Sequence, residues 1–135
     1  MNRKFQVGDK STLSKAFTQS EVEEFAKISL DDNPVHLDKE YAESTAFGQP
    51  IVHGLLVASL FSGLIGARLP GHGSVYLGQN ISFKAPVFIN EKIEASVEVV
   101  HVREDKPILT LKTLCVKSDG TVAIEGEAVV KVTCV

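Results

Sequence analysis

Residues Gly54–Leu69 read GLLVASLFSGLIGARL, and this run decides the architecture. Leu55, Leu56, Val57, Ala58, Leu60, Phe61, Leu64, Ile65, Ala67 and Leu69 leave a helix little polar face, so it must be covered on most sides. The run is shorter than the roughly 20 apolar residues that span a bilayer, and Ser59, Ser62, Gly63, Gly66 and Arg68 interrupt it. A buried central helix is expected, ending at Leu69 to Gly71. Downstream, the pattern switches to period two. Val75, Leu77, Ile81 and Phe83 alternate with Tyr76, Gly78, Asn80, Ser82 and Lys84, which predicts a long strand. Lys92 to Val102, with a phase slip near Val99 and Val100, Ile108 to Lys117 and Val122 to Val132 predict three more. The REDKP and SDG turn signals between them suggest hairpins of a meander. A further strand around Gln6 to Leu13 alternates more weakly.

Upstream of the central run the chain reads as helical. In TQSEVEEFAKISL (18–30), Thr18 or Ser20 can cap a short helix with Glu21 or Glu23 three residues on, and Val22, Phe25, Ala26 and Ile28 share a side. DDNPVH (31–36) reads as a loop, because Pro34 disfavours the α conformation at Asn33. Asp38 can cap a second short helix within DKEYAESTAF. The sum is an α+β domain, four or five antiparallel strands curved around one hydrophobic helix. Small residues Ala58, Ser59, Ser62, Gly63 and Gly66 allow close backbone approach. Such a sheet leaves an edge unpaired, which predicts a homodimer joined edge to edge.

Composition narrows the function classes. With 135 residues, 44% hydrophobic and 23% charged, the chain has material for a single domain, 1–135, held by packing alone. Cys115 and Cys134 lie far apart without metal-ligand spacing, which fits a reducing, cytoplasmic setting. The net charge of −3 argues against a nucleic-acid partner. No apolar stretch follows the basic start MNRKFQVGDK, so no signal peptide and no membrane partner are expected.

Two local features carry possible chemistry. Asp31 and His36 stand five apart around Pro34, and His53 directly precedes Gly54 at the start of the central helix. Spacing alone leaves two readings of each. Asp31 and Asp32 are turn-stabilising carboxylates and His36 a surface imidazole, or Asp31 and His36 form an acid/base pair. Gly54 merely lets the chain turn, or its N–H group receives a developing oxyanion. His53 reads as structural. Taken together, a base, an acid and an anion site suit the addition or removal of water next to a carbonyl. Other chemistries find less support. Without a GxSxG elbow, Ser59 and Ser62 read as packing residues. His36, His53, His72 and His101 lack HxH, HExxH or HxxxH spacing, and GLIGARLPGHG matches neither GxGxxG nor a P-loop. No metal and no cofactor are expected.

DDNPVHLD (31–38) followed by AFGQPIVHGLL (46–56) resembles the MaoC-like enoyl-CoA hydratases of the hot dog fold, especially the small bacterial (R)-specific hydratases linked to polyhydroxyalkanoate synthesis. The likeness runs on through Val57 to Gly66, VYLGQNISFKAPVF, VREDKPI and GEAVVKV. The family motif, Asp-x-Asn-Pro-x-His, is complete from Asp31 to His36, with Asp32 at a free position. The resemblance implies a cofactor-independent hydro-lyase that adds water syn to a trans-2-enoyl-CoA, giving the (R)-3-hydroxyacyl product. It implies a catalytic Asp31–His36 dyad sharing one water and the Gly54 N–H on the thioester oxygen. Asn33, Ser62 and His53 are expected in support, with Ile65 and Val130 bordering the acyl tunnel. Lys84, Arg103, Lys106 and Lys112 are the candidates to meet the CoA phosphates. Alternatives on the same fold are a thioesterase, an acyl carrier protein dehydratase and a non-catalytic acyl-CoA-binding domain.

Overall fold

A computed structural model describes residues 4–133. Its elements run β1 (Lys10–Lys15), α1 (Gln19–Ser29), α2 (Pro34–Leu37), α3 (Lys39–Glu43), α4 (Gly54–Ala67), β2 (Val75–Phe83), β3 (Ile93–Val102), β4 (Ile108–Lys117) and β5 (Val122–Lys131). Thr18 caps α1 with both halves of a capping box: its Oγ1 accepts the Glu21 N–H at 3.2 Å while the Glu21 carboxylate accepts the Thr18 N–H at 3.0 Å. Val22 and Ala26 face inward, but Ile28 is 80% exposed. Six residues beyond Val22 it has rotated roughly 120° off the buried face. The helix closes on Leu30 in the left-handed conformation (φ 65°), which turns the chain sharply into Asp31.

The expected 31–36 loop gives way at Pro34 to one turn of helix. Proline is tolerated there because the first helical N–H has no partner to lose, and Asn33 Oδ1 caps the turn by accepting the Val35 N–H at 3.2 Å. Asp38 ends α2 and caps α3, which is shorter than the DKEYAESTAF reading.

The five strands form one antiparallel sheet in the order β1-β3-β4-β5-β2. Only β3, β4 and β5 make the expected meander. β2 pairs with β5 at the far edge and not with β3. After β2 the chain does not turn back. It runs past the start of α4 and the end of β1, held by Val52 N–H to Val87 O (2.8 Å) and Asn90 N–H to Phe17 O (2.7 Å). The phase slip near Val99 and Val100 is a bulge between Val99 and His101. The first strand begins later than read, because Gln6 and Asp9 close a turn around Gly8 (φ 100°).

α4 packs against β3 and against both edge strands, β1 and β2, so the sheet curls around it. Val57, Phe61, Leu64 and Ile65 form its buried face and join Ile93, Val97, Leu109, Leu111, Ile124 and Val130 in the core. The opposite face, with Leu55 (61% exposed), Ser59, Ser62, Gly63 and Gly66, stays open in the single chain, which corrects the expectation of cover on most sides. One sheet curls around one side only, and the small residues point outward. The helix ends at Ala67, before Leu69, where Arg68 reaches across to the Thr12 carbonyl at 2.8 Å. Among the described residues no helix is long and apolar enough to cross a membrane. Cys115 is buried in β4, and burial pushes its thiol up to about 12; Cys134 lies outside the described residues.

Phe61, 1% exposed, anchors this packing. Phe61→Ala should lower the unfolding free energy by about 3–5 kcal/mol in urea titrations. Ile28→Ala, on the exposed side of α1, should change it by less than about 0.5 kcal/mol. Equal losses would contradict this assignment of core and surface.

Candidate active site

Three short stretches meet at the start of α4. The α1–α2 turn brings Asp31, α2 brings His36, and the segment leading into α4 brings Ile51, His53 and Gly54. His36 is 8% exposed, not the surface imidazole that spacing left open. Its Nδ1 lies 2.7 Å from the Ile51 carbonyl oxygen. A carbonyl can only accept, so Nδ1 carries the proton and the neutral ring presents its Nε2 lone pair. That lone pair stands 4.0 Å from Asp31 Oδ2. The other carboxylate oxygen, Oδ1, accepts the Asn33 N–H at 3.2 Å, and the Asp31 N–H is tied to Ser29 Oγ at 3.1 Å, so the acid is oriented from its own backbone. Asp32 is exposed and lies outside the cavity, which settles that Asp31 is the carboxylate facing His36.

These groups open onto a cavity of about 570 Å³. Its apolar wall includes Phe25, Phe47, Val57, Phe83, Val87 and Ile124, with Lys84 as a cation. Gly54 and Leu55, the first residues of α4, line it too. His53 makes no side-chain cap bond there, so the leading N–H groups and the positive end of a 14-residue helix are left to the cavity. Glycine at position 54 lets the Phe83 ring lie close: a Cβ would stand 2.5 Å from its Cε1, so the ring would have to shift.

Electrostatics favour a neutral base. Burial pulls the His36 pKa below its ordinary 6.5, and the nearby His53 adds to this, outweighing the upward pull of the Ile51 hydrogen bond and the Asp31 charge. Asp31, His36 and His53 do gather donor atoms within 4.8 Å of one another. The two rings are nevertheless stacked, with centroids 3.8 Å apart and planes at 26°. In-plane lone pairs of stacked rings do not converge on one ion at about 2.1 Å. This arrangement suits proton transfer better than ligation.

The MaoC like domain model matches residues 3–119. The chain belongs to this MaoC-like family. It is 57% identical over 126 residues to an (R)-specific enoyl-CoA hydratase of Aeromonas caviae, covering 93% of this chain and 94% of that protein. The solved structure of the (R)-hydratase from A. caviae involved in PHA biosynthesis superposes with a TM-score of 0.95 at 55% identity, covering 97% of this chain and 99% of that one. A mitochondrial 3-hydroxyacyl-acyl-carrier-protein dehydratase of Solanum lycopersicum is 39% identical over 124 residues, covering 90% of this chain and 74% of that protein. The sheet-wrapped helix is thus the hot dog fold of the MaoC-like proteins.

Within this MaoC-like chain, Asp31, His36, His53 and Gly54 come together at one cavity, and Asn33 sits behind Asp31 as the cap of α2. Ser62 is not brought to it. Eight residues along α4 it is roughly 12 Å from Gly54 along the axis, on the exposed face. Ile65 and Val130, expected at the acyl tunnel, are sealed in the core at 2% and 0% exposure and do not line the cavity. They pack where α4 meets the sheet, whereas the cavity opens at the helix start. Sequence reasoning missed the Ile51 carbonyl, since any residue can supply one and no side-chain pattern marks it. It also missed the aromatic wall of Phe25, Phe47 and Phe83.

Because folding lowers the His36 pKa, the unfolded chain takes up a proton near pH 6.5 that the native state refuses until lower pH. His36 should therefore titrate below 6.5 in NMR, and its contribution to stability, full above 6.5, should be lost as pH falls through the folded value. A His36 pKa at or above 6.5 would contradict the buried, neutral base.

Proposed function

We propose that the chain, acting as one domain over residues 1–135, hydrates trans-2-enoyl-CoA to the (R)-3-hydroxyacyl-CoA, a reading supported by the A. caviae relative's name, (R)-specific enoyl-CoA hydratase. The observation that carries this reading is a neutral imidazole lone pair and a carboxylate 4.0 Å apart beside an uncapped helix start. A water seated against both Asp31 Oδ2 and His36 Nε2 gives its proton to Nε2 as its oxygen bonds to the β carbon. The electron pair of the double bond moves onto the thioester oxygen, where the Gly54 N–H and the helix dipole meet the charge. Imidazolium is disfavoured by burial, so Nε2 readily returns the proton to the α carbon on the same face. Asp31 orients the water and steadies the transient imidazolium. The atoms of one water are then divided between the two carbons, and no cofactor takes part.

Among the four basic candidates for the CoA phosphates, Lys84 is the one that lines the cavity, half-exposed and 3.5 Å from Glu125. Arg103 is already engaged by Asp105 through two hydrogen bonds of 2.7 and 2.9 Å. We assign the phosphate contact to Lys84. The two sheet edges differ in a way that supports a homodimer. β1 carries Lys10 and Lys15 and has Arg68 on its Thr12 carbonyl, features that discourage strand addition. β2 exposes Val75 (52%), Tyr76 (38%), Leu77 (52%) and Phe83 (55%) along an unpaired edge. A second copy pairing there would cover them together with the open face of α4. Supply of hydroxyacyl units for polyhydroxyalkanoate synthesis, in the cytoplasm, completes the reading.

Hydration of crotonyl-CoA followed at the enoyl absorbance tests it. Asp31→Asn and His36→Ala, each with fold retained, should reduce kcat by about 10²–10⁴, the range of general acid–base action. Near-wild-type turnover in both would remove the dyad from the mechanism. Free thiol release would favour a thioesterase, binding without product a non-catalytic domain, and preference for carrier-bound substrate a dehydratase like that of S. lycopersicum.

A further inference from the structure

His53 stands where a long helix usually places a serine or aspartate to cap its first N–H groups, yet its ring makes no such bond. The ring is buried, 2% exposed, and its contacts point elsewhere. Nε2 lies 3.1 Å from the Asp31 carbonyl oxygen, so Nε2–H donates to it. One ring face stacks on His36 at 3.8 Å, and Phe25 meets the ring edge-on at 4.8 Å and 62°. Nδ1, left as an acceptor, is buried without a hydrogen-bond partner among the described residues. The same residue is joined through its own peptide bond to the Gly54 amide.

We propose that His53 is a positioning residue: one side chain fixes the Asp31 backbone and the His36 ring plane relative to the Gly54 N–H, without touching the reacting atoms. The stack holds the imidazole so that its in-plane Nε2 lone pair aims at the carboxylate. The bond to the Asp31 carbonyl sets where that carboxylate starts. Nothing else among the described contacts reaches both members of the dyad from the oxyanion side. Such geometry matters because a displacement of about 1 Å can cost on the order of 10²-fold in rate. The proposal deepens the hydratase reading and rests on it.

Two amides of different reach test it. In His53→Gln the side-chain N–H extends about as far as Nε2 and can still meet the Asp31 carbonyl; in His53→Asn it stops near the Nδ1 position and cannot. With crotonyl-CoA, H53N should lose about 10- to 100-fold in kcat with KM changed less than about threefold, and H53Q should recover most of that loss. Equal kcat in the two variants, or a loss carried by KM, would overturn the proposal. Thermal melting verifies the fold. If H53N does not fold, H53F replaces it, keeping ring bulk without the donor. A second readout needs no turnover: ¹⁵N–¹H spectra should show one sharp set of His36 ring signals in wild type and broadened or doubled ones in H53N, where no ring stacks on it, the Ile51 carbonyl keeping the Nδ1–H tautomer in both. One sharp set of His36 ring signals in H53N would also overturn it. A wild-type chain that fails to hydrate crotonyl-CoA would sink the hydratase reading instead, leaving the spectra to decide the role of His53.

Discussion

The hydrogen bond from His36 Nδ1–H to the Ile51 carbonyl, 2.7 Å long, is the contact on which the site depends. It decides the tautomer of the ring, and so which nitrogen is free for chemistry. It also ties α2 to the segment that enters α4, a link doubled by the Ile51 N–H to the Val35 carbonyl at 3.2 Å. Two motifs separated in sequence thereby become one rigid corner. The helix start cannot shift relative to the dyad without breaking these bonds. The large apolar face of α4, in turn, cannot shift without exposing Phe61, Leu64 and Ile65. Core packing, worth several kcal/mol for each large side chain, therefore holds the placement of a single imidazole.

Burial serves the site in two opposed ways. It lowers the affinity of His36 for a proton, which keeps the ring neutral near pH 7 and makes the protonated ring a ready donor once formed. It stops short of the start of α4, where the uncapped N–H groups open onto the cavity and can meet a developing negative charge. Asp31 remains half-exposed at the rim, 50% by side chain, while its Oδ1 is steered by the Asn33 N–H.

Local signals in the sequence were legible and long-range ones were not. β4 falls on the bounds that alternation suggests, and the β3 bulge shows as a phase slip, because period two is written residue by residue. The partner of β2 depends on where residues 84–92 cross, a matter of tertiary bonds to Val52 and Phe17 that no periodicity encodes. Asp31, His36 and Gly54 were readable from motif and helix start together. Periodicity also placed Ile65 and Val130 in the core, yet core membership does not say which end of a helix a cavity opens from. The Leu30 turn, a non-glycine residue at positive φ, departs from local preference directly beside Asp31, and such departures cluster at functional sites.

The central claim is that one water, held between Asp31 and His36, delivers both of its parts to a single face of the substrate. Hydration of crotonyl-CoA in D₂O, with the product's relative and absolute configuration determined by NMR and chiral analysis, tests it most directly. Deuterium at the α carbon should lie syn to the new hydroxyl, on a product of (3R) configuration. Anti addition, or a (3S) product, would contradict it.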